Sequence, residues 1–446
     1  MIAQLEMRGL QRVLWSYRSL SSSPCRCSST SPSVVDPLAV NERTSKIPES
    51  IQIGGHTYRT DSWTNVTPRI SSFVGKNIYL RKNHPLWLIK ERIIAYFNWR
   101  YPGRYSPAFT VVDNLSPVVT TEQNFDSILV PADHVSRSKS DSYYVNKSHL
   151  LRAHTSAHQS DLLRSGFREF LVVGDVYRRD EINATHYPVF HQMEGVRLRY
   201  AHELRDDPDF KAIKSPAEVR SPGCQESHTE EAAAVMEKDL KGCLEGLVKS
   251  LFGQKVELRW NESFFPFTHP SWEMEVKYNN EWLELLGCGI MEQKILNNAG
   301  IHDQIGWACG IGLERIAMRL YEIPDIRLFW SEDSGFLSQF EVDNIRKLIK
   351  YKAVSQFPQC TNDVSFWIPE HFEKNDFYEL VRDCGGELVE QVKIIDEFTH
   401  PKSGRKSLCY RIIYRHMEKT LTKDKANSIH KNIEKIAVDK LGVQIR

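Results

Sequence analysis

The stretch "VYRRDEINATHYPVFHQMEG", residues 176–195, sets adjacent arginines, acids and histidines between two apolar ends. A guanidinium fixed on a strand does one task well: it offers two parallel donors to phosphate oxygens while charge moves across them, without reorganising. Arg178 is the candidate for that role. Arg315, in the first turn of a helix after "GIG", is the second, because Gly310 and Gly312 let the backbone approach a ligand and a helix start favours an anion. Ser156 and Gln159 have the spacing of a capping box, which marks a third segment as a helix N-terminus. Three separated segments thus make one site. Taken alone, Arg178 with Asp180 reads as well as a structural ion pair, and "FFPF" (Phe265, Phe267) as core packing. His154 and His158 stand four apart, but no H-E-x-x-H or carboxylate pattern accompanies them as metal ligands.

These residues need elements to hold them. "FREFLVVGDVYRR" and "VFHQMEGVRLRY" are strand-like on either side of the loop "DEINATHYP", a long hairpin. Alternation puts Arg178 and Asp180 on one face of the first strand, and Phe190, Gln192 and Glu194 on one face of the second. Leu86, Ile89, Ile93 and Phe97 recur at helical spacing from His84. "HTEEAAAVMEKDLKGCLEGLVKSLFG" reads as a helix capped by Thr229 and closed at Gly253. A second hairpin turns at Asn279-Asn280, and "IGWACGIGLERIAMRLYEIP" has the form strand, glycine turn, helix. The middle of the chain is therefore α+β, antiparallel strands with helices between them. The last ninety residues follow the order β-α-β-β-α-β, a ferredoxin-like arrangement. From His400 onward twelve Lys/Arg stand against four Asp/Glu, and Arg411 and Arg415 share one face of a strand.

Length and composition set the bounds. With 446 residues, 41% of them hydrophobic, two folded units are expected, and a net charge of +1 gives no global pull toward nucleic acid. No apolar run is long enough to span a membrane. Nine scattered cysteines without a C-x-x-C pair argue against a disulfide framework or a zinc site. The first thirty residues carry Arg8, Arg12, Arg18 and Arg26, many serines and one acid, a composition suited to a mitochondrial transit peptide. The expected divisions are a presequence and linker over 1–45, a core over 46–327, a linker over 328–356 and a small domain over 357–446.

The residues also carry a resemblance. Residues 176–195 look like motif 2 of the class II aminoacyl-tRNA synthetases, and "GWACGIGLER" looks like their motif 3. "FPFTHPSWEMEV", "WLELLGCG" and "NFDSILVPADH" are similar to phenylalanyl-tRNA synthetases, the single-chain mitochondrial form in particular. The resemblance implies a class II antiparallel sheet flanked by helices, followed by a ferredoxin-fold anticodon-binding domain. It implies a monomer of the mitochondrial matrix that uses ATP and Mg2+, activates phenylalanine as its adenylate and transfers it to the terminal ribose of mitochondrial tRNA(Phe).

Carried over by position, Arg178 would hold the α-phosphate of ATP, His186 the outer phosphates, and Arg315 the γ-phosphate. Phe190 would stack on the adenine, Glu284 would lie near the nucleotide and help hold Mg2+, and Asp180, Thr185 and Tyr187 would border the same site. Phenylalanine would lie among His154, Ser156, Ala157, His158, Gln159, Gln192, Met193 and Glu194, with Phe265 and Phe267 against its ring and Ala308 setting the depth. Cys309 stands where relatives often carry phenylalanine, so an aromatic wall near the substrate is expected to be replaced. Arg411 and Arg415 would contact the tRNA. A non-catalytic paralogue that binds RNA or a protein partner is the rival reading, and it is expected to lack Arg178 or Arg315. Removing the residues after Pro358 is expected to abolish tRNA charging and leave activation intact.

Overall fold

A computed structural model of the chain describes residues 48–207, 209–214, 219–278, 281–353, 357–416 and 419–446. The expected presequence and the Asn279-Asn280 turn lie outside the described residues. Seven strands build the main sheet: β1 (Thr110–Val112), β2 (Glu169–Tyr177), β3 (Val189–Tyr200), β4 (Leu258–Phe265), β5 (Thr268–Tyr278), β6 (Glu281–Met291) and β7 (Gln304–Gly312). Their order is β1-β2-β3-β7-β6-β5-β4, and every pair except β1 with β2 is antiparallel. The expected second hairpin is thus a three-stranded meander, to which the polar edge strand β4 had given little period-2 signal.

Alternation along these strands sorts residues between two apolar layers. On one face Leu171, Val173, Met193, Trp307, Cys309 and Ile311 join the larger core. Helices α1 (Pro85–Arg100), α3 (Glu230–Phe252) and α4 (Leu313–Tyr321) cover that face. The short helix α2 (Gln159–Arg164) lies on the other face, where Phe170, Val172, Val196 and Ala308 pack with Ala157, Leu162 and Leu163.

Local chemistry explains the helix ends. Pro85 occupies the first turn of α1, and the His84 ring accepts the Leu86 N–H. Thr229 caps α3, two glutamates follow in its first turn, and the helix stops at Gly253, as the sequence predicts. The capping box at Ser156 and Gln159 does not form. Residues Thr155–His158 make a 3-10 turn ahead of α2 with no side-chain cap, because these side chains are drawn to Glu194 instead.

The C-terminal strands and helices come in the expected order: β8 (Cys360–Trp367), α5 (Lys374–Gly385), β9 (Val389–Thr399), β10 (Lys406–Tyr414), α6 (Lys423–Leu441) and β11 (Gln444–Ile445). Their sheet runs β9-β10-β8-β11 and covers a separate apolar core. The expected linker from 328 is not free. Phe329, Phe336, Phe340 and Ile349 are buried in the larger core, with Phe340 5.4 Å from Tyr321 and Phe336 5.6 Å from Tyr351. Leaving several large apolar side chains in water would be costly, and their irregular spacing hid that requirement.

The described residues form one compact unit, in which the C-terminal domain packs on the loop between β2 and β3. Ile182 at the loop tip is buried in the C-terminal core, and its carbonyl accepts the Val392 N–H at 2.9 Å. Buried Arg382 donates to the Asp180 carbonyl and pairs with Glu379, both at 2.8 Å. Glu379 also takes the Tyr143 hydroxyl at 2.5 Å, and Arg179 pairs with Asp376 at 3.0 Å. Glu387 receives Arg69 at 2.5 Å and the Tyr187 hydroxyl at 2.6 Å.

Candidate active site

The strand register builds the site floor. One row across the sheet reads Val172, Glu194, Gly310, Gly287, Glu273, and the next reads Phe170, Val196, Ala308, Gly289. A third joins Gly174, Gln192 and Gly312. These rows lie on the α2 side, so Glu194 and Gln192 face the same way as Ala308 and a run of glycines. Above Gly310 and Gly312 there is open space, since a Cβ at either would meet nothing within 4 Å. Above Gly287 sits Phe265, whose ring would come within 2.8 Å of such a Cβ. Phe265 stacks on Phe267 at 5.8 Å and 10°, and Phe267 lies 6.3 Å from His154. Two aromatic rings thus wall a glycine-floored slot.

Glu194 closes the slot at 2% exposure. Gln159 Nε2 and the Thr155 hydroxyl donate to its carboxylate, and Ser156 adds a third hydrogen bond. Burial raises its pKa against the opposing pull of the three donors, and among the described residues no cation pairs with it. The Gln159 and Gln192 side-chain oxygens and His154 Nδ1 are buried without a partner. His154 is neutral, its pKa lowered to about 3 by burial and then by the charge of Arg178.

Arg178 follows the last residue of β2, and its backbone N–H still bonds the Pro188 carbonyl at 3.0 Å. Its Nε donates to the Ala153 carbonyl at 2.8 Å, and its guanidinium lies 5.2 Å from the centre of the Phe190 ring. It is open to solvent yet hemmed in by protein. Burial, and then Arg315, lower its pKa against the opposing pull of Asp180 and Glu284. Arg315 itself bonds the Glu284 carbonyl and carboxylate, each at 3.2 Å. Both arginines and both acids therefore share one electrostatic neighbourhood.

The register of that pair depends on a contact that sequence reasoning missed. β3 runs past the end of β7, so the His191 N–H has no strand partner there. The Glu314 carboxylate takes it at 2.9 Å and takes His191 Nδ1 at 2.6 Å. A residue of the motif 3 helix thus completes the motif 2 strand edge, one position from Arg315 and one from Phe190. Thr155 was missed as well. Its only signal was its place between His154 and Ser156.

Several expected site residues lie elsewhere. Met193 and Cys309 face the larger core because each is one residue out of step with Glu194 and Ala308; Cys309 replaces no aromatic wall of the slot. Ala157 is core packing. His158 accepts from Arg152 at 2.9 Å, and burial followed by that arginine lowers its pKa to about 3. Arg152 itself is fully buried, pairs with Asp175 at 2.7 Å and fills the space over Gly174. Tyr187 is buried against Phe73 and Trp330, and the His186 ring turns onto Asn183 at 2.9 Å, as does the Thr185 hydroxyl at 3.0 Å. Tyr187 belongs to the seam with the C-terminal domain through Glu387, and the Thr185 and His186 side chains are satisfied within the loop itself. Arg411 is held by Asp363 through two hydrogen bonds and Arg415 by Glu390 at 2.9 Å, so both positive charges are compensated. Among the described residues no group of three or more His, Cys, Asp or Glu could hold a metal.

The open space predicts a separable defect. Gly310→Val is expected to leave the thermal midpoint within about 3 °C, because the strand position is unstrained and the Cβ meets nothing, while filling the slot. Melting and ligand titration on one preparation check this, and a variant that melts far lower contradicts it.

Residues 69–207 and 231–340 match the family model "tRNA synthetases class II core domain (F)", and residues 355–446 match "Ferredoxin-fold anticodon binding domain". A Drosophila melanogaster protein named "Probable phenylalanine--tRNA ligase, mitochondrial" is 49% identical, with 100% of each chain covered. A Mus musculus "Phenylalanine--tRNA ligase, mitochondrial" is 52% identical over 95% of each, and one from Saccharomyces cerevisiae is 38% identical over 90% of this chain and 96% of its own. With two arginines converging on one cleft, a slot beside them and these matches along its length, the chain belongs to the class II tRNA synthetases, among the mitochondrial phenylalanine–tRNA ligases.

Proposed function

We propose that the chain joins phenylalanine to a mitochondrial tRNA(Phe) in the mitochondrial matrix, using ATP and acting as a monomer. The observation that carries this reading is a buried carboxylate, Glu194, that has three hydrogen-bond donors and, among the described residues, no cationic partner, at the end of a slot walled by Phe265 and Phe267. An uncompensated buried charge calls for a cationic partner, and the ammonium of phenylalanine supplies it while the ring enters the slot.

The chemistry then follows from position. The substrate carboxylate attacks the α-phosphorus of ATP and pyrophosphate leaves; a ribose hydroxyl of tRNA next attacks the adenylate carbonyl and AMP leaves. Neither step needs a protein nucleophile. Arg178, tethered at Nε, keeps its terminal nitrogens for the α-phosphate, and Arg315 takes the outer phosphates. Phe190 lies under the adenine. The hard carboxylate oxygens of Glu284 suit Mg2+, which is commonly held by one or two carboxylates together with substrate phosphates. Such an ion, when bound, neutralises charge on the departing pyrophosphate. Asp180 and Glu284 offset the two guanidiniums while the cleft is empty.

The direct test is ATP–pyrophosphate exchange across the twenty amino acids, with phenylalanine alone expected to give strong exchange. No exchange with any amino acid would favour the non-catalytic reading. Glu194→Gln sharpens the assignment. It is expected to weaken phenylalanine binding about tenfold to a hundredfold while leaving 3-phenylpropionate, which lacks the ammonium, nearly unchanged. Equal losses for both compounds would remove Glu194 from its proposed role.

A further inference from the structure

One short stretch of chain, residues 152–159, serves both ends of the cleft. The Ala153 carbonyl takes Arg178 Nε at 2.8 Å, while Thr155, Ser156 and Gln159 bond the Glu194 carboxylate. The placement of this stretch therefore sets how far the guanidinium fork stands from the buried carboxylate. Its backbone is pinned at the start: the Arg152 N–H bonds the Pro117 carbonyl at 2.8 Å, and the Arg152 carbonyl takes the Tyr177 N–H at 2.9 Å. Buried Asn124 accepts the Ala153 N–H at 3.0 Å.

A side chain holds the rest. Arg152 is fully buried, with Nε on the Asp175 carbonyl and Nη2 on the Asp175 carboxylate, both at 2.7 Å. Its Nη1 reaches His158 at 2.9 Å and the Leu115 carbonyl at 3.3 Å, so one guanidinium ties both the start and the far part of the stretch to β2. The Tyr177 hydroxyl bonds Asp175 from the other side. The guanidinium lies over Gly174, in the cross-strand row that continues through Gln192 to Gly312. An apolar side chain would fill that space without desolvating a charge, whereas fixed donors hold their partners in one arrangement.

We propose that Arg152 is a positioning residue for adenylate formation: it fixes the separation between Arg178 and Glu194, and so aligns the phenylalanine carboxylate with the α-phosphorus. This rests on the ligase reading above. Fully buried, Arg152 can touch neither substrate. Each subsite keeps its own contacts without it, and what changes is the distance between them. In-line attack is steep in that distance, and a misplacement of about 1 Å costs on the order of a hundredfold.

Two variants of the full chain test this by opposite routes. Arg152→Lys keeps the charge and removes the fan of donors. Gly174→Ala keeps Arg152 and displaces it, because a Cβ at Gly174 would stand 2.0 Å from Nη2 and 2.6 Å from Cζ. Both are expected to lower kcat for phenylalanine-dependent pyrophosphate exchange about tenfold to a hundredfold. Calorimetry should give phenylalanine and ATP, each alone, a Kd within about threefold of the unaltered chain. The melting midpoint of Gly174→Ala should fall by no more than about 5 °C, since the atom it meets is the end of a side chain. A merely structural role would lower the midpoint and leave kcat of the folded protein unchanged, and that result would overturn the proposal. So would a loss carried by Kd with kcat intact, or loss of the fold in both variants. Absence of phenylalanine-dependent exchange in the unaltered chain would instead overturn the ligase reading beneath it.

Discussion

Arg178→Lys is expected to lower phenylalanine-dependent pyrophosphate exchange by about a thousandfold, with the thermal midpoint nearly unchanged. The asymmetry comes from what the guanidinium does without ligand. Its Nε is spent on the Ala153 carbonyl and its plane rests on Phe190, which leaves two terminal nitrogens in a fixed fork. A lysine ammonium can carry the charge but reproduces neither the tether nor the fork. Burial and nearby Arg315 already disfavour the cation, as its lowered pKa records, and lysine keeps that charge, so the fold itself should change little in stability. A polyphosphate reverses the balance by placing negative charge between the two guanidiniums. Exchange kinetics and melting of the same preparation decide the matter. Exchange within tenfold of the unaltered chain would mean that Arg178 does not touch the reacting phosphate.

What could be read from the chain before its structure follows a physical division. Period-2 and period-3.6 patterns identified the long hairpin, α1, α3 and the C-terminal order, because burial of one face forces those patterns. Alternation also put Phe190, Gln192 and Glu194 on one face, and the strand register is what brings Arg178 to the same side. The same rule, applied strictly, would have removed Met193 and Cys309, which resemblance carried in as neighbours along the motif although they point through the sheet. Contacts between distant segments were invisible. Glu314 completing a strand edge, Arg152 filling the space over Gly174, and Asp363 and Glu390 neutralising Arg411 and Arg415 all depend on register between strands, which a linear pattern does not contain. The loop residues followed another rule. The Tyr187 hydroxyl meets Glu387 two hundred residues away, a contact no local motif announces, whereas Thr185 and His186 turn back onto Asn183 within the loop.

That contact changes what a truncation should do. Were the C-terminal domain an independent module, a chain ending at Pro358 would lose tRNA charging and keep amino-acid activation. The seam argues otherwise. Removing the domain exposes Ile182, at a cost of about 1.5–3 kcal/mol for an isoleucine side chain. It also takes Arg382 from the Asp180 carbonyl, Glu379 from the buried Tyr143 hydroxyl, and Glu387 from Arg69 and Tyr187. A buried polar group left without a partner costs roughly 1–3 kcal/mol, and domain stabilities are only about 5–15 kcal/mol, so these losses are large on that scale. The loop they anchor leads directly out of Arg178 and back into Phe190. The truncated chain is therefore expected to lose at least about a hundredfold in pyrophosphate exchange, together with a large fall in thermal midpoint. Ile182→Ala in the full chain separates loop order from global unfolding, since it frees the loop tip and leaves both cores otherwise intact. It should lower exchange several-fold and make the loop more open to protease while the midpoint moves by only a few degrees. A truncated chain that activates phenylalanine within threefold of the full chain would show instead that the cleft keeps its shape without the domain that grips its loop.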